Sequence, residues 1–187
     1  MKVGYAYTGS FCTISKSIEI MKGLVEKGID ILPIMSENAY YTDTRFGEAK
    51  VIRDKICEIC ERDIIHTIVD AEPLGPKVKL DALIIAPCTG NTLSKLANGI
   101  TDTPVCMAAK AHLRNNNPLV ITLATNDALS TNLKNIATLL SRKNVYFTPM
   151  VQDDPTNKPH SLVANFDLIE ETLYSALKGQ QITKLFI

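Results

Sequence analysis

The chain has 187 residues, of which 45% are hydrophobic and 21% are charged, as in an ordinary globular protein. This length suits one domain and is enough to bury a core without disulfides or a metal. Twenty basic and twenty acidic side chains cancel. The composition therefore excludes a global electrostatic field that would draw the protein to nucleic acid or to an anionic membrane.

The apolar segments and the cysteines indicate the compartment. The chain enters a strand-like segment at residue 2 without the apolar region of a signal peptide. No apolar segment reaches the roughly 20 residues that span a bilayer. The five cysteines are an odd number and lie scattered along the chain. We therefore expect a cytoplasmic protein with reduced thiols.

The first half of the chain alternates strand and helix patterns. Residues 3–7 and 31–35 are predicted strands, and a weaker strand is expected at 64–68. The helix between the first two strands ends at Gly28 and has apolar residues at helical spacing, namely Ile14, Ile18, Met21 and Val25. After a polar, aromatic loop at 40–46, a second helix is marked by Ala49, Ile52, Ile56 and Ile59.

The second half continues the alternation. Residues 83–86 and 119–124 are uniformly apolar, as in central parallel strands that are covered on both faces, and 145–147 is predicted as an edge strand. Helices are expected at 91–97, 105–113 and 129–140, and a last helix at 166–177 follows the polar loop at 152–160. We therefore predict an α/β fold in a single domain, residues 1–187. It is a doubly wound, Rossmann-like parallel sheet of about six strands with helices on both faces.

Small hydroxyl, amide or glycine residues follow four of the predicted strands, at the edge where such sheets bind ligands. The four exits are Thr8-Gly9-Ser10, Ser36-Glu37-Asn38, residues 87–92 and Thr125-Asn126-Asp127. Helix N-termini and hydroxyls can bind a phosphate without a lysine. The alternative is that these residues are only helix caps and turns. Neither G-x-G-x-x-G nor G-x-x-x-x-G-K-[ST] is present, which favours a mononucleotide-type ligand.

The most specific motif lies at residues 86–102. It runs Ala-Pro-Cys-Thr-Gly-Asn-Thr-Leu-Ser-Lys-Leu-Ala-Asn-Gly-Ile-Thr-Asp. It resembles the P-x-[ST]-x-N-T…A-x-G-x-x-[DS] stretch of the homo-oligomeric flavin-containing Cys decarboxylase superfamily, and Gly9-Ser10 and Ser36 match the same plan. Within that superfamily, residues 86–104, 107–115 and 152–164 look like the dipicolinate synthase B-subunit family.

This resemblance implies an FMN cofactor bound between the protomers of a homo-oligomer, a trimer or a dodecamer. The residues that it implies at the cofactor site are Gly9, Ser10, Ser36, Cys88, Thr89, Asn91, Thr92 and Thr125. It also implies a partner protein, the A-subunit of the synthase, which binds NAD(P). Together the two proteins would oxidise a dihydrodipicolinate-type precursor to dipicolinate (pyridine-2,6-dicarboxylate) for endospore formation.

Two departures from related enzymes bear on the reaction. Cysteine decarboxylases of the superfamily carry a histidine shortly before the central strand, whereas His66 is separated from it by a Pro/Gly loop at 72–76. Flavin prenyltransferases carry an arginine where this chain has residues 125–127. A self-sufficient flavin-dependent decarboxylase or prenyltransferase stays an alternative, and so does a non-catalytic scaffold that stabilises the A-subunit.

Other polar side chains have weaker signals. Lys158 and His160 lie in a proline-limited loop and could pair with substrate carboxylates, or they could simply be solvated. The C-x-x-C at residues 57–60 falls within a helix and has no second Cys/His pair, so we expect buried thiols and no metal. His112 is expected at the surface or in the C-terminal turn of its helix. The sequence identifies no catalytic acid or base.

Overall fold

The computed structural model describes residues 1–187 and contains a seven-stranded sheet with the order β2-β1-β3-β4-β7-β6. The fifth strand, β5, pairs with the first half of β4, on the edge that β7 occupies further along. Pairs among β1 to β5 are parallel, and β7 runs antiparallel to β4 and to β6. The strands are β1 Lys2–Tyr7, β2 Asp30–Met35, β3 Ala82–Cys88, β4 Leu119–Thr125, β5 Val145–Phe147, β6 Met150–Val151 and β7 Leu162–Ala164.

Eight helices connect the strands and cover both faces of the sheet. They are α1 Phe11–Glu26, α2 Glu37–Tyr41, α3 Ala49–Cys60, α4 Ile68–Ala71, α5 Gly90–Ala97, α6 Pro104–Leu113, α7 Leu133–Leu140 and α8 Ile169–Leu177. One apolar cluster takes its helical residues mainly from α5, α6 and α7, and the other from α1, α3 and α8. All seven residues of β3 are buried, and its side chains from Ala82 to Ala86 alternate between the two clusters, as a central strand covered on both faces requires.

The predicted doubly wound α/β fold is confirmed, with three local differences. The prediction of a strand at 64–68 is wrong, because Ile65 makes only a single bridge to Ile34 at the sheet edge. The chain then turns into α4, whose first turn is capped by the Thr67 hydroxyl accepting a hydrogen bond from the Asp70 N–H. Part of the loop expected at 40–46 belongs to α2, and two short antiparallel strands, β6 and β7, follow β5. That residues 1–187 form one domain stays a prediction.

Two side-chain expectations are also corrected or refined. His112 lies in the last turn of α6, as one form of the expectation had it, but it is not at the surface: it is 1% exposed, and its Nε2 lies 2.9 Å from the Pro118 carbonyl oxygen. Burial lowers the pKa of His112, so the ring is neutral near pH 7. Cys60 is buried at the end of α3, where its Sγ donates to the Met21 sulfur. No group of three or more His, Cys, Asp or Glu side chains could hold a metal ion, and no helix could cross a membrane.

Candidate functional site

The strand order reverses between β1 and β3, which is where doubly wound sheets bind ligands. Hydrogen bonds join the carboxyl ends of these two strands. The Thr8 hydroxyl donates to the Pro87 carbonyl oxygen at 2.8 Å and accepts from the Thr89 N–H at 2.9 Å. Thr8 is 1% exposed. These bonds hold the two strand exits together. A cleft opens on each side of the contact, and both clefts are lined by Gly9 and Thr89.

The first cleft, of about 410 Å³, opens on the β2 side of this contact. Hydroxyl groups cap the helices that begin around it: Ser36 accepts from Ala39 N–H at α2, and Thr103 accepts from Cys106 N–H at α6. The starts of helices concentrate positive partial charge and free N–H groups, which favour an anion close to these helix starts. Its lining residues are Thr8, Gly9, Phe11, Ser36, Glu37, Asn38, Thr89, Asn91, Thr92, Lys95, Asp102 and Thr103.

Thr89 and Thr92 form a reciprocal pair at the start of α5. The Thr92 N–H donates to the Thr89 hydroxyl at 3.2 Å, and that hydroxyl donates to Thr92 Oγ1 at 3.1 Å. The Thr92 hydroxyl hydrogen therefore stays available for a ligand. The same holds for Ser36, whose oxygen only accepts within its own cap.

Three charged side chains line the first cleft. Lys95 Nζ lies 2.7 and 2.9 Å from the two carboxylate oxygens of Asp102. This hydrogen bond lowers the pKa of Asp102, so the carboxylate is ionised at neutral pH. Glu37 is the third charged residue of the lining. The cleft thus contains one ammonium group and two carboxylates.

The second cleft, of about 250 Å³, opens on the β4 side. Ser10, the N-cap residue of α1, makes no side-chain cap there. Across from it, Lys158 Nζ lies 3.1 Å from a carboxylate oxygen of Asp153, and this hydrogen bond raises the pKa of Lys158. The lining residues are Gly9, Ser10, Cys12, Thr13, Thr89, Ala124, Thr125, Asn126, Asp153, Lys158 and Val163.

A polar network supports the floor between the clefts. Asp127 accepts from the Thr125 hydroxyl at 2.6 Å and from the Asn132 amide at 2.8 Å. Gly90, the first residue of α5, packs directly on this network. A Cβ at residue 90 would lie 2.6 Å from Thr125 Oγ1, 2.6 Å from Asn132 Nδ2 and 2.8 Å from Asp127 Oδ1. Any side chain at residue 90 would therefore force these three polar side chains to move.

Most of the site residues predicted from sequence line the two clefts. Residues of the prediction that do so are Gly9, Ser10, Ser36, Thr89, Asn91, Thr92, Thr125 and Lys158. Cys88 and His160 do not. Cys88 is fully buried, because it is the last residue of the central strand β3 and packs in the apolar cluster that includes α5, α6 and α7. His160 is exposed and contributes its carbonyl, which accepts from the Leu129 N–H at 2.9 Å.

Several cleft residues were not among those assigned to the site from the sequence. Thr8 was named in the exit after the first strand but was given no role, although a hydroxyl residue directly after a buried strand lies at the binding edge of the sheet. Lys95 had a weaker signal: it follows Asn91 by four positions on the same helix and so shares its face. Asp102 and Thr103 belong to the connection to α6, whose path no local pattern predicts.

His66, which was compared with the decarboxylase histidine, lines neither cleft. Its ring stacks on Tyr40 with the centroids 3.9 Å apart, and the Arg53 guanidinium carbon lies 4.5 Å from the centroid of the Tyr40 ring. These three side chains line a separate groove of about 990 Å³ beside α3 and α4. They hold the last turn of α2, whose first turn lines the first cleft.

Comparisons with known proteins identify the family of the chain. The chain matches the Flavoprotein family over residues 1–172. It is 46% identical over 186 residues to the B-subunit of dipicolinate synthase from Bacillus subtilis (strain 168), covering 100% of this chain and 93% of that protein.

Solved structures show the same relationship. The B-subunit of dipicolinate synthase from Bacillus halodurans C has a TM-score of 0.92 at 47% identity, covering 100% of this chain and 95% of that chain. The FMN-dependent cysteine decarboxylase SpaF has a TM-score of 0.67 at 18% identity over 95% of each chain, which is a likeness of fold alone. The resemblance inferred from residues 86–102 is confirmed, and the chain belongs to the Flavoprotein family.

Proposed function

We propose that this chain is the flavin-binding component of a cytoplasmic, two-component oxidoreductase that forms dipicolinate from a dihydrodipicolinate-type precursor. The observation that carries the proposal is the first cleft, which lies at the switch point of a flavoprotein fold and is lined by uncharged donors at helix starts. The whole-length similarity to the B-subunit of dipicolinate synthase supports the same reaction. The partner in this proposal is the NAD(P)-binding A-subunit of the synthase, and the chain itself forms a homo-oligomer.

The donors present fit the phosphate and the polar chain of FMN. Ser36 and Thr92 both keep a hydroxyl hydrogen free to donate. Gly9 has no side chain to block the approach of a ligand to the backbone at the end of β1. Asn91, one residue before Thr92 on α5, adds an amide that can donate and accept. Together these groups would hold a phosphate monoester without a dedicated arginine.

The substrate is proposed to lie in the second cleft, next to the flavin, because the two clefts share Gly9 and Thr89. Aromatising the dihydropyridine ring removes a hydride and a proton, and a bound flavin supplies an acceptor for the two electrons. The contribution of this chain is to orient the dicarboxylate. Lys158 is held protonated by Asp153 and can bind a carboxylate, whereas His160 lines neither cleft and is given no part.

The decisive experiment is an FMN titration of the purified protein followed by its visible absorbance. Saturable uptake with a protein-bound flavin spectrum is expected, and riboflavin, which lacks the phosphate, should bind more weakly. The Asn91→Asp variant should bind FMN more weakly, because a carboxylate replaces an amide that can donate to the ligand. Asn98→Asp at the other end of α5, outside both clefts, is the matched control.

The alternatives predict different results. If neither the wild type nor the control binds FMN, the chain is better described as a non-catalytic partner of the A-subunit. If it binds FMN, dipicolinate formation is assayed in the presence and in the absence of that partner. Turnover of a cysteine-containing peptide by this chain alone would instead favour the decarboxylase, although His66 is outside both clefts.

A further inference from the structure

The pair formed by Lys95 and Asp102 is the one feature of the first cleft that the proposed function leaves unused. Lys95 is the only cationic residue of the lining. Its side chain is 21% exposed, whereas that of Asp102 is 60% exposed. The lysine is thus drawn into the cleft wall, and the carboxylate that pairs with it lies on the solvent side.

We propose that Lys95 is the residue that binds the anionic group of the ligand, a phosphate or a carboxylate, and that Asp102 occupies Lys95 until the ligand displaces it. This inference rests on the proposed function, since it assumes that the first cleft receives an anionic cofactor or substrate. It adds two roles to that function: Lys95 selects a negatively charged ligand, and Asp102 competes with the ligand for Lys95.

The position of Lys95 on α5 supports this role. Lys95 follows Asn91 by four residues and Thr92 by three, so the three side chains share one face of the helix. All three line the first cleft. The ammonium group therefore belongs to the same wall as the uncharged donors and can act on the same ligand.

The charges in the cleft explain why Asp102 must move. Asp102 and Glu37 bring two acidic side chains to the cleft against a single ammonium, so an anion entering beside them would be repelled. If the ligand replaces Asp102 at Lys95, one carboxylate leaves the cleft and the lysine keeps an anionic partner. The exposed side chain of Asp102 precedes the Thr103 cap of α6, so it can turn into solvent without disturbing that cap.

Two single substitutions distinguish the exchange of Asp102 for the ligand at Lys95 from an ion pair that has only a structural role. Lys95→Met should raise the Kd for FMN by roughly tenfold or more, the usual effect of losing a hydrogen bond to a charged group. Asp102→Asn should lower the Kd by several-fold, because the competitor is removed and Lys95 is released. Lys95→Arg should restore much of the affinity. A pair that only ties α5 to the connection before α6 predicts the same direction for Lys95→Met and Asp102→Asn.

The matched control is the ion pair between Lys55 and Glu19, whose atoms are 2.6 Å apart and which lines neither cleft. Lys55→Met and Glu19→Gln should leave the Kd unchanged. Titrations with riboflavin and with dipicolinate identify the anionic group. If the opposite shifts disappear with riboflavin, the group is the phosphate. If they are seen with dipicolinate, it is a carboxylate.

Each outcome decides between the two proposals. Shifts of FMN affinity in the same direction, or no shift, overturn the exchange while the flavin proposal stands. No FMN uptake by the wild type, with opposite shifts for dipicolinate, overturns the flavin proposal and retains the exchange. If neither the wild type nor Asp102→Asn binds either compound, both proposals fail.

Discussion

The two clefts share Gly9 and Thr89, and the partition at these residues is held differently from the outer wall of the second cleft. The bonds between Thr8 and residues 87 and 89 join positions 79 and 81 apart in the sequence, so they exist only when β1 and β3 are paired. In the outer wall of the second cleft, residues 152–160, the side-chain bonds join positions only three to seven apart. A wall held by such local bonds, like residues 152–160, can open without unfolding the sheet. The second cleft therefore has one wall that suits a substrate that enters and leaves, whereas the partition beside both clefts depends on the paired strands.

The largest expected effect comes from filling the space between the two clefts. Gly90→Ala should lower the free energy of unfolding by about 3 kcal/mol, because the new methyl group collides with Thr125, Asp127 and Asn132. Gly23→Ala within α1 is the matched control, since a Cβ there meets nothing within 4 Å and alanine is the better helix former. Urea unfolding of the two variants measures the difference. Equal stabilities would mean that the polar network can shift aside.

A smaller effect should follow from Thr8→Val, which keeps the shape of the side chain but removes its hydroxyl. The Thr89 N–H loses its acceptor, so we expect a loss of about 2 kcal/mol in the free energy of unfolding together with weaker FMN binding. Thr138→Val is the control, because the Thr138 hydroxyl bonds its own helix at the surface. A Thr8 variant as stable as this control would show that the strand exits do not need the hydroxyl.

The smallest effect on stability is expected at the second cleft. Lys158→Met should leave the midpoint of urea unfolding unchanged, because the pair with Asp153 is exposed, while the Kd for dipicolinate rises by roughly tenfold. Lys178→Met, at an exposed lysine after α8, is the control for the loss of a positive charge. A change in stability without a change in dipicolinate binding would mean that Lys158 supports the fold and does not bind the substrate.

The sequence predicted the parts of the fold that have a long repeating pattern. The apolar spacing in α1 and the uniform run in β3 each extend over several residues, so their identity was clear. The five-residue α2 and the two- and three-residue strands β6 and β7 are too short to establish a period. Their conformation follows from contacts made elsewhere in the chain, such as the stacking of His66 on Tyr40.

The site divides in the same way. Gly9, Ser36 and Thr89 were predicted because parallel strands end at one edge of the sheet, whatever the details of packing. Cys88 was placed at the cofactor by the family resemblance, but it is the last residue of β3 and is fully buried in an apolar cluster. Asp102 was missed because its partner, Lys95, is seven positions away across a loop.

The inward turn of Cys88 makes the protein convenient for chemical labelling. Burial raises the pKa of the Cys88 thiol, raises that of Cys60 to about 11 and raises that of Cys106, so all three are protonated as well as shielded. Cys12, in contrast, is exposed and lines the second cleft. A maleimide applied to the folded protein should therefore react first at Cys12. A fluorophore attached there would stand beside the loop of residues 152–160 and report its opening and closing without any engineered cysteine.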